Sequence, residues 1–160
     1  MSVWTQRAAV ELTDDPAFTG RVRRLVLVSL VALGVITALA VRDHAATWVV
    51  LLMVIGWALM PSLLFLSIRS PGLRYGLLVP GTAFPLGVLG MAVAASGAES
   101  IGWWLIATGL TLGGAQGIWF WFRWMPVPHQ LDDPFGRSRL TMIVVHVALL
   151  LVGIATVAAG

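Results

Sequence analysis

Five long apolar stretches constrain this chain most, because each approaches the length that a helix needs to cross a lipid bilayer. They cover residues 25–41, 46–68, 75–95, 101–122 and 140–159. A transmembrane helix takes about 20 predominantly apolar residues. With 59% hydrophobic and 11% charged residues, the chain lacks the polar surface to cover such segments in water. The pattern predicts an all-α, polytopic membrane protein, a bundle of about five transmembrane helices.

The third stretch is the least regular of the five. Pro80 and Pro85, together with several glycines, interrupt its apolar run. Proline removes a backbone donor and clashes with the preceding helical turn. In a membrane, irregular backbone is tolerated where protein encloses it. We therefore expect this helix to break or kink at the prolines, with neighbouring helices shielding the freed carbonyl groups.

All ten basic residues are arginines, and their distribution predicts the orientation of the bundle. Positive residues accumulate in cytoplasmic loops. With five crossings, all but Arg42 fall on one side of the membrane, namely Arg7, Arg21, Arg23, Arg24, Arg69, Arg74, Arg123, Arg137 and Arg139. This predicts a cytoplasmic N-terminus, an external C-terminus and a multi-pass protein of the plasma (inner) membrane. The use of arginine in place of lysine suits a bacterial source.

The first apolar stretch has a second interpretation, as a cleaved signal peptide. Arginines precede it, and residues 38–40 read Ala-Leu-Ala, which is typical of a cleavage site. The preceding tail is long and contains acidic residues, which favours a retained helix. We expect a cytoplasmic tail and interfacial helix start over residues 1–24. A single transmembrane bundle follows over residues 25–160, with a cytoplasmic loop at 124–138.

Two short segments resemble each other, and each leads into a helix of the same predicted direction. One reads DDPAFTGRVR and the other DDPFGRSR. Aspartate is a good helix N-cap, and proline suits the first helical position. The repeated helix-start motif comprises Asp15, Pro16, Arg21, Arg23, Asp133, Pro134, Arg137 and Arg139. It indicates an ancestral duplication or a docking surface, or else convergent capping of two similarly oriented helices.

The sequence contains no recognisable catalytic, cofactor-binding or metal-binding constellation. There is no cysteine, and His44, His129 and His146 fall at three different predicted depths, so they cannot share one metal. No glycine-rich phosphate loop, Ser/His/Asp set or intramembrane carboxylate is present. The arginines mark topology and form no basic stripe of the kind that binds nucleic acid. An enzyme is therefore the least favoured class, and we predict no cofactor and no nucleic-acid partner.

The fourth stretch carries Gly109, Gly113 and Gly117, each four residues apart. Small residues at this spacing let a second helix approach closely. The stripe predicts either packing inside the bundle or dimerisation, and packing inside the bundle is favoured.

Each apolar stretch also offers one polar side chain at a similar distance from its arginine end. These candidate polar-layer residues are Ser29, Ser62, Thr82, Gln116 and His146. Gln116 and His146 each lie seven residues from an arginine, or roughly 10 Å along a helix. We expect this pair to face the interior and to hydrogen-bond, directly or through one water. The layer is either structural glue between helices or a ligand or proton site.

Two function classes follow from these patterns. The first is a non-catalytic subunit, assembly factor or scaffold of a membrane complex, which accounts for the missing catalytic groups and the glycine stripe. Its partners would be the lipid bilayer and other membrane subunits, or further copies of itself. The alternative is a small solute transporter or channel that uses the polar layer.

Overall fold

The computed structural model describes residues 16–120 and 137–160, and within these ranges the chain is all-helical. The five α-helices are α1 (Pro16–Arg42), α2 (Thr47–Arg69), α3 (Leu78–Ala94), α4 (Gly97–Ile118) and α5 (Arg137–Ala159), with a 3-10 helix at Pro71–Leu77 before α3. Four segments are long and apolar enough to span a membrane: Thr19–Arg42, Thr47–Ser67, Gly72–Ala94 and Arg137–Ala159. The predicted all-α bundle is confirmed, and four of its five helices have the properties of membrane spans.

Helix α4 is the exception because glycine, threonine, tryptophan and glutamine dilute its apolar residues. It has 22 residues, and at about 1.5 Å per residue it is long enough to cross the hydrocarbon core. Helix α4 is therefore left out of the candidate spans because of its composition and not because of its length. The side of α4 that faces the core is nevertheless well packed, since Trp103 and Ile106 are fully buried there. A fifth crossing by α4 stays a prediction.

Helices α2 and α3 form one antiparallel hairpin, and α4 and α5 form a second. In the α2–α3 hairpin, glycines receive the large side chains of the facing helix. A Cβ atom at Gly56 would collide with Phe84, and one at Gly87 would lie 2.5 Å from Cγ of Met53. Without a side chain at these positions the two helices pack closely, as small residues permit in membrane bundles.

Helix α1 packs against α2 near the middle of both helices. Nε1 of Trp57 donates a hydrogen bond to the carbonyl oxygen of Leu30 at 2.9 Å. The indole lies over Gly34, where a Cβ atom would be 3.1 Å from Nε1. The tryptophan thus satisfies its one donor on the neighbouring helix, as a membrane-embedded indole requires.

The predicted break at the prolines is not found inside α3; the irregular part of the third stretch instead precedes Leu78. Residues Pro71–Leu77 form a 3-10 helix, and Pro80 is the third residue of α3. In the first turn of a helix the N–H groups have no intrahelical acceptor, so proline costs no hydrogen bond there. Helix α3 then continues through Pro85 without a break. Pro80 is buried and Pro85 is half-buried, so neighbouring helices do cover this stretch.

The repeated helix-start motif is described only in part. Helix α1 is already helical at Pro16, the first described residue, and so precedes the apolar run by more than two turns. Asp15, Asp133 and Pro134 lie outside the described residues, and capping by the two aspartates stays a prediction. Helix α5 is helical from Arg137, its first described residue.

The C-terminal ends of α1 and α5 lie side by side. Nη2 of Arg42 donates to the carbonyl oxygen of Val157 at 2.7 Å, and Nη1 donates to that of Ala158 at 3.3 Å. Nε of Arg42 also contacts Oδ1 of Asp43 at 2.6 Å. Arg42 thereby supplies donors to carbonyl groups that the end of α5 leaves without intrahelical partners, and α1 and α5 run in parallel.

This contact defines two ends of the bundle. The Arg42 end holds Arg42, Asp43 and Glu99, because consecutive helices alternate in direction. The opposite, arginine-rich end holds the other described arginines: Arg21, Arg23, Arg24, Arg69, Arg74, Arg137 and Arg139. The charge asymmetry expected from the sequence is thus present between the two ends of the described bundle.

Candidate functional site on helix α4

Near the Arg42 end, helices α4 and α5 lie so close together that their backbones are in contact. A Cβ atom at Gly102 would lie 3.0 Å from the carbonyl oxygen of Gly153. One at Gly153 would lie 2.8 Å from the carbonyl oxygen of Gly102 and 3.0 Å from the amide nitrogen of Ile106. The obstacles are backbone atoms, which cannot rotate aside as the tip of a side chain can. Both positions therefore require glycine.

The same seam continues toward the arginine-rich end with a regular register. Gly109 lies against Leu150, and Gly113 lies against His146. Gly102, Gly109 and Gly113 are seven and four residues apart, the spacing that keeps one stripe of a helix against its partner. Gly109 and Gly113 therefore lie where α5 packs against α4 inside the bundle. At Gly117 a Cβ atom would meet no atom of the described residues within 4 Å, so a packing role for Gly117 stays a prediction.

His146 is held by two of these glycines. Its ring lies on Gly113, where any Cβ atom would collide with the imidazole. Its Nδ1 is 2.6 Å from the carbonyl oxygen of Gly109. A carbonyl oxygen can only accept, so Nδ1 is the donor in this hydrogen bond. Gly113 provides the space and Gly109 provides the acceptor, and α4 and α5 are joined by one polar contact inside the seam.

Gln116 lies one turn beyond Gly113 and is half-buried. Within the described residues, no hydrogen bond joins it to His146, whose Nδ1 uses Gly109. The expected direct pair is therefore not formed. The sequence pattern places Gln116 and His146 at the same depth along their helices. It does not show that the imidazole of His146 extends across Gly113, which has no side chain, to the carbonyl of Gly109.

The remaining polar-layer candidates do not gather around His146. Ser62 and Thr82 are both exposed. Oγ of Ser62 donates to the carbonyl of Ala58 at 3.1 Å, and Oγ1 of Thr82 donates to that of Leu78 at 2.8 Å. Such bonds to the preceding turn are usual for hydroxyls in membrane helices. Ser29 is half-buried. Of the five candidates, His146 is the residue with a hydrogen bond to another helix in the described structure.

A second face of α4 carries small and weakly polar residues and is exposed. We define the open face of α4 as Thr108, Thr111, Gly114 and Ala115, all of which are exposed. The two threonine hydroxyls donate to Trp104 and Ala107 of the same helix, each at 2.9 Å. Among the described residues, no atom lies within 4 Å of a side-chain position at Gly114. This face thus has small residues in helical register and room above them.

We call the contact of Gly102, Gly109 and Gly113 with α5 the closed seam. Sequence reasoning missed Gly153, the glycine of α5 that lies in this seam against Gly102. A signal was present, because Gly153 follows His146 by seven residues, the same interval that separates Gly102 from Gly109. Two stripes with matching seven-residue intervals on consecutive helices predict an antiparallel seam.

Comparisons of the chain with protein-family models, curated proteins and solved structures returned no match. Within residues 16–120 and 137–160, no group of three or more histidine, aspartate or glutamate side chains is arranged to hold a metal ion. The geometry of α4, with one face closed by α5 and another open, is the feature on which a functional interpretation rests.

Proposed function

We propose that the protein is a non-catalytic component of a membrane complex, a subunit, assembly factor or scaffold, that binds a transmembrane helix of its partner on the open face of α4. The observation that carries this proposal is the exposure of Thr108, Thr111, Gly114 and Ala115 on one helix. Small residues in register allow close approach of a second helix and van der Waals contact between backbones.

The composition of α4 supports the same proposal. All five helices expose large apolar side chains, among them Leu27, Val28, Val144 and Leu151, and α4 does so near its two ends at Ile101, Trp104 and Ile118. Helix α4 is the one α-helix absent from the four candidate spans, and between Trp104 and Ile118 its exposed residues are the small side chains of the open face. A partner helix would cover this surface with protein, and lipid would then contact the more apolar helices.

We further propose that the arginine-rich end faces the cytoplasm of a bacterial cell and that the protein lies in the plasma membrane. The support is the arginine asymmetry between the two ends, together with the bias of positive residues toward cytoplasmic loops. Topology reporters fused at residue 72 should be active as cytoplasmic fusions, and reporters at residue 98 should be active outside. The reverse pattern would contradict this orientation.

The transporter or channel alternative draws on Gln116 and His146. His146 is already bonded to the Gly109 carbonyl, and Ser62 and Thr82 donate to their own helices. A conducting polar layer needs several groups that converge on one space. The arrangement therefore supports a role in helix association more strongly than one in conduction.

A photo-crosslinking amino acid placed at Ala115 tests the proposal in native membranes. We expect a discrete protein adduct, which mass spectrometry would identify as a partner subunit or a second copy. The matched control is Val144, an exposed position on α5, which should yield lipid adducts. The absence of a protein adduct at Ala115, or equal adducts at both positions, would contradict a partner on the open face.

A further inference from the structure

Helices α1 and α5 carry the repeated Arg-x-Arg motif at the same height in the bundle, Arg21 and Arg23 near the start of α1 and Arg137 and Arg139 in the first turn of α5. The opposite ends of these helices are joined by the bond from Arg42 to the carbonyl of Ala158, at 3.3 Å. Nineteen residues separate Arg23 from Arg42, and nineteen separate Arg139 from Ala158. Because the helices run in parallel with the same rise per residue, Arg23 and Arg139 lie at one level.

That level coincides with a hydrocarbon boundary. Nineteen residues of α-helix extend about 28 Å, close to the roughly 30 Å thickness of a bilayer hydrocarbon core. With Arg42 and Asp43 at one boundary, Arg23 and Arg139 therefore reach the other. Both are then at the depth of the lipid phosphates on that side.

An aromatic side chain connects the two arginine turns. Cζ of Arg139 lies 3.0 Å from the centroid of the Trp119 ring. Trp119 packs against the small apolar cluster of Val22 and Leu77, and Val22 directly precedes Arg23. A guanidinium stacked on an indole keeps its N–H donors at its edge, where they can bind a phosphate. Trp119, directly after the end of α4, thus holds Arg139 on the side of the bundle where the cluster with Val22 lies.

The charge at this end is predominantly positive. Arg23, Arg24 and Arg137 are exposed, and the described residues of this end include no aspartate or glutamate. On the predicted topology, this side of the whole chain carries nine arginines and five acidic residues, while the other side carries one arginine and two acidic residues. Such an excess at the headgroup level attracts anionic lipid.

We propose that the arginine-rich end binds an anionic phospholipid with two phosphates, one at the arginine turn of α1 and one at that of α5. The acyl chains would lie along the exposed aliphatic residues that follow each turn, Leu27 and Val28 on α1 and Leu140 and Val144 on α5. A phospholipid matches both the charge and the adjoining apolar surface, whereas an acidic protein segment matches the charge alone.

The test uses the full chain in nanodiscs of phosphatidylcholine, with and without about one fifth cardiolipin, a diphosphate lipid of the kind that basic pockets between helices bind. Native mass spectrometry measures retained lipid, and thermal unfolding measures how much the bound lipid stabilises the protein.

The variant is Arg23→Gln/Arg139→Gln, and the matched control is Arg23→Lys/Arg139→Lys. We expect cardiolipin to bind and protect the wild type. The Gln variant should bind it roughly 25-fold more weakly, and the Lys control should keep most of the affinity.

The Gln variant should unfold like the wild type in phosphatidylcholine alone, which separates lost binding from lost folding. Equal behaviour of the wild type in the two lipid compositions would overturn the proposal, and this arm needs no variant. Undiminished cardiolipin retention by the Gln variant would also overturn it. Equal protection by free pyrophosphate in phosphatidylcholine would assign the arginines to a soluble anion. Protection by polyglutamate but not by cardiolipin would assign them to an acidic protein segment.

Discussion

Gly113 and Gly114 are neighbours in sequence, and they show how differently two faces of α4 are used. At Gly113 a side chain would collide with the ring of His146, whereas at Gly114 no part of the chain that the structure describes lies within 4 Å. The first glycine is required by contacts inside the chain. The second meets no such requirement, although in an isolated helix it costs about 1 kcal/mol relative to alanine.

The comparison separates glycines that build the bundle from glycines that leave a surface available. The closed seam, formed by Gly102, Gly109 and Gly113 against α5, brings two backbones together. The open face offers the same type of small-residue surface without an occupant in the described chain. If the open face is a binding surface, variants of the two faces should separate stability from partner binding.

The largest expected effect is at the closest backbone contact. Gly153→Val should lower the free energy of unfolding by about 3 kcal/mol, because its side chain meets backbone atoms of Gly102 and Ile106 and forces the helices apart. Steric-trapping measurements in bicelles give this quantity. Gly117→Val, at an open position, is the matched control. Equal stability of the two variants would mean that α4 and α5 do not pack as described.

A smaller loss is expected at the histidine contact. Gly113→Ala should cost about 2 kcal/mol, since the imidazole must move and its bond to the Gly109 carbonyl is disturbed. The ¹⁵N chemical shift of His146 Nδ1 should change with it. An unaltered histidine spectrum in this variant would place the ring elsewhere.

Removal of the histidine itself should be milder. His146→Leu should lower stability by about 1 kcal/mol, the usual size of an interhelical hydrogen bond in a membrane. The Gly109 carbonyl keeps its helical partner, so no backbone group loses its only bond. Stability is measured as above, with partner recovery as the second readout. Complete loss of partner with unchanged stability would assign the functional role to the closed seam.

The smallest effect on stability is expected on the open face. Gly114→Leu/Ala115→Leu should change the free energy of unfolding by no more than about 0.5 kcal/mol, since both positions are exposed. The same unfolding assay checks this. A loss of 2 kcal/mol or more would show that a neighbour within the chain already covers this face.

The sequence predicted the helices well because membrane spanning depends on length and apolar content, which are local properties. It also identified Gly109 and Gly113, because small residues four apart form a stripe on any helix. Gly117 continues that stripe in sequence but meets no described atom of α5 within 4 Å, and nothing in the pattern shows where α5 stops covering α4.

The polar layer was the weaker prediction for a related reason. Distance from an arginine estimates depth, but direction around a helix depends on which neighbours pack against it. Ser62 and Thr82 therefore share a predicted depth with His146 and yet face outward. The acceptor for His146 is a backbone carbonyl of Gly109, and side-chain patterns carry no information about such a group. The effect of Pro80 on the helix was also not predictable from side-chain patterns. It depends on where α3 begins, and with α3 beginning at Leu78 the proline falls in the first turn.

Affinity purification from native membranes, followed by mass spectrometry, tests the central claim most directly. The wild type, Gly113→Ala and Gly114→Leu/Ala115→Leu would be compared at equal amounts of folded, membrane-inserted protein. We expect the wild type and Gly113→Ala to recover the same partner, and the open-face variant to recover at most a tenth of it, because one lost helix contact of about 1.4 kcal/mol is a factor of ten. Full recovery of the partner by the open-face variant would contradict the account.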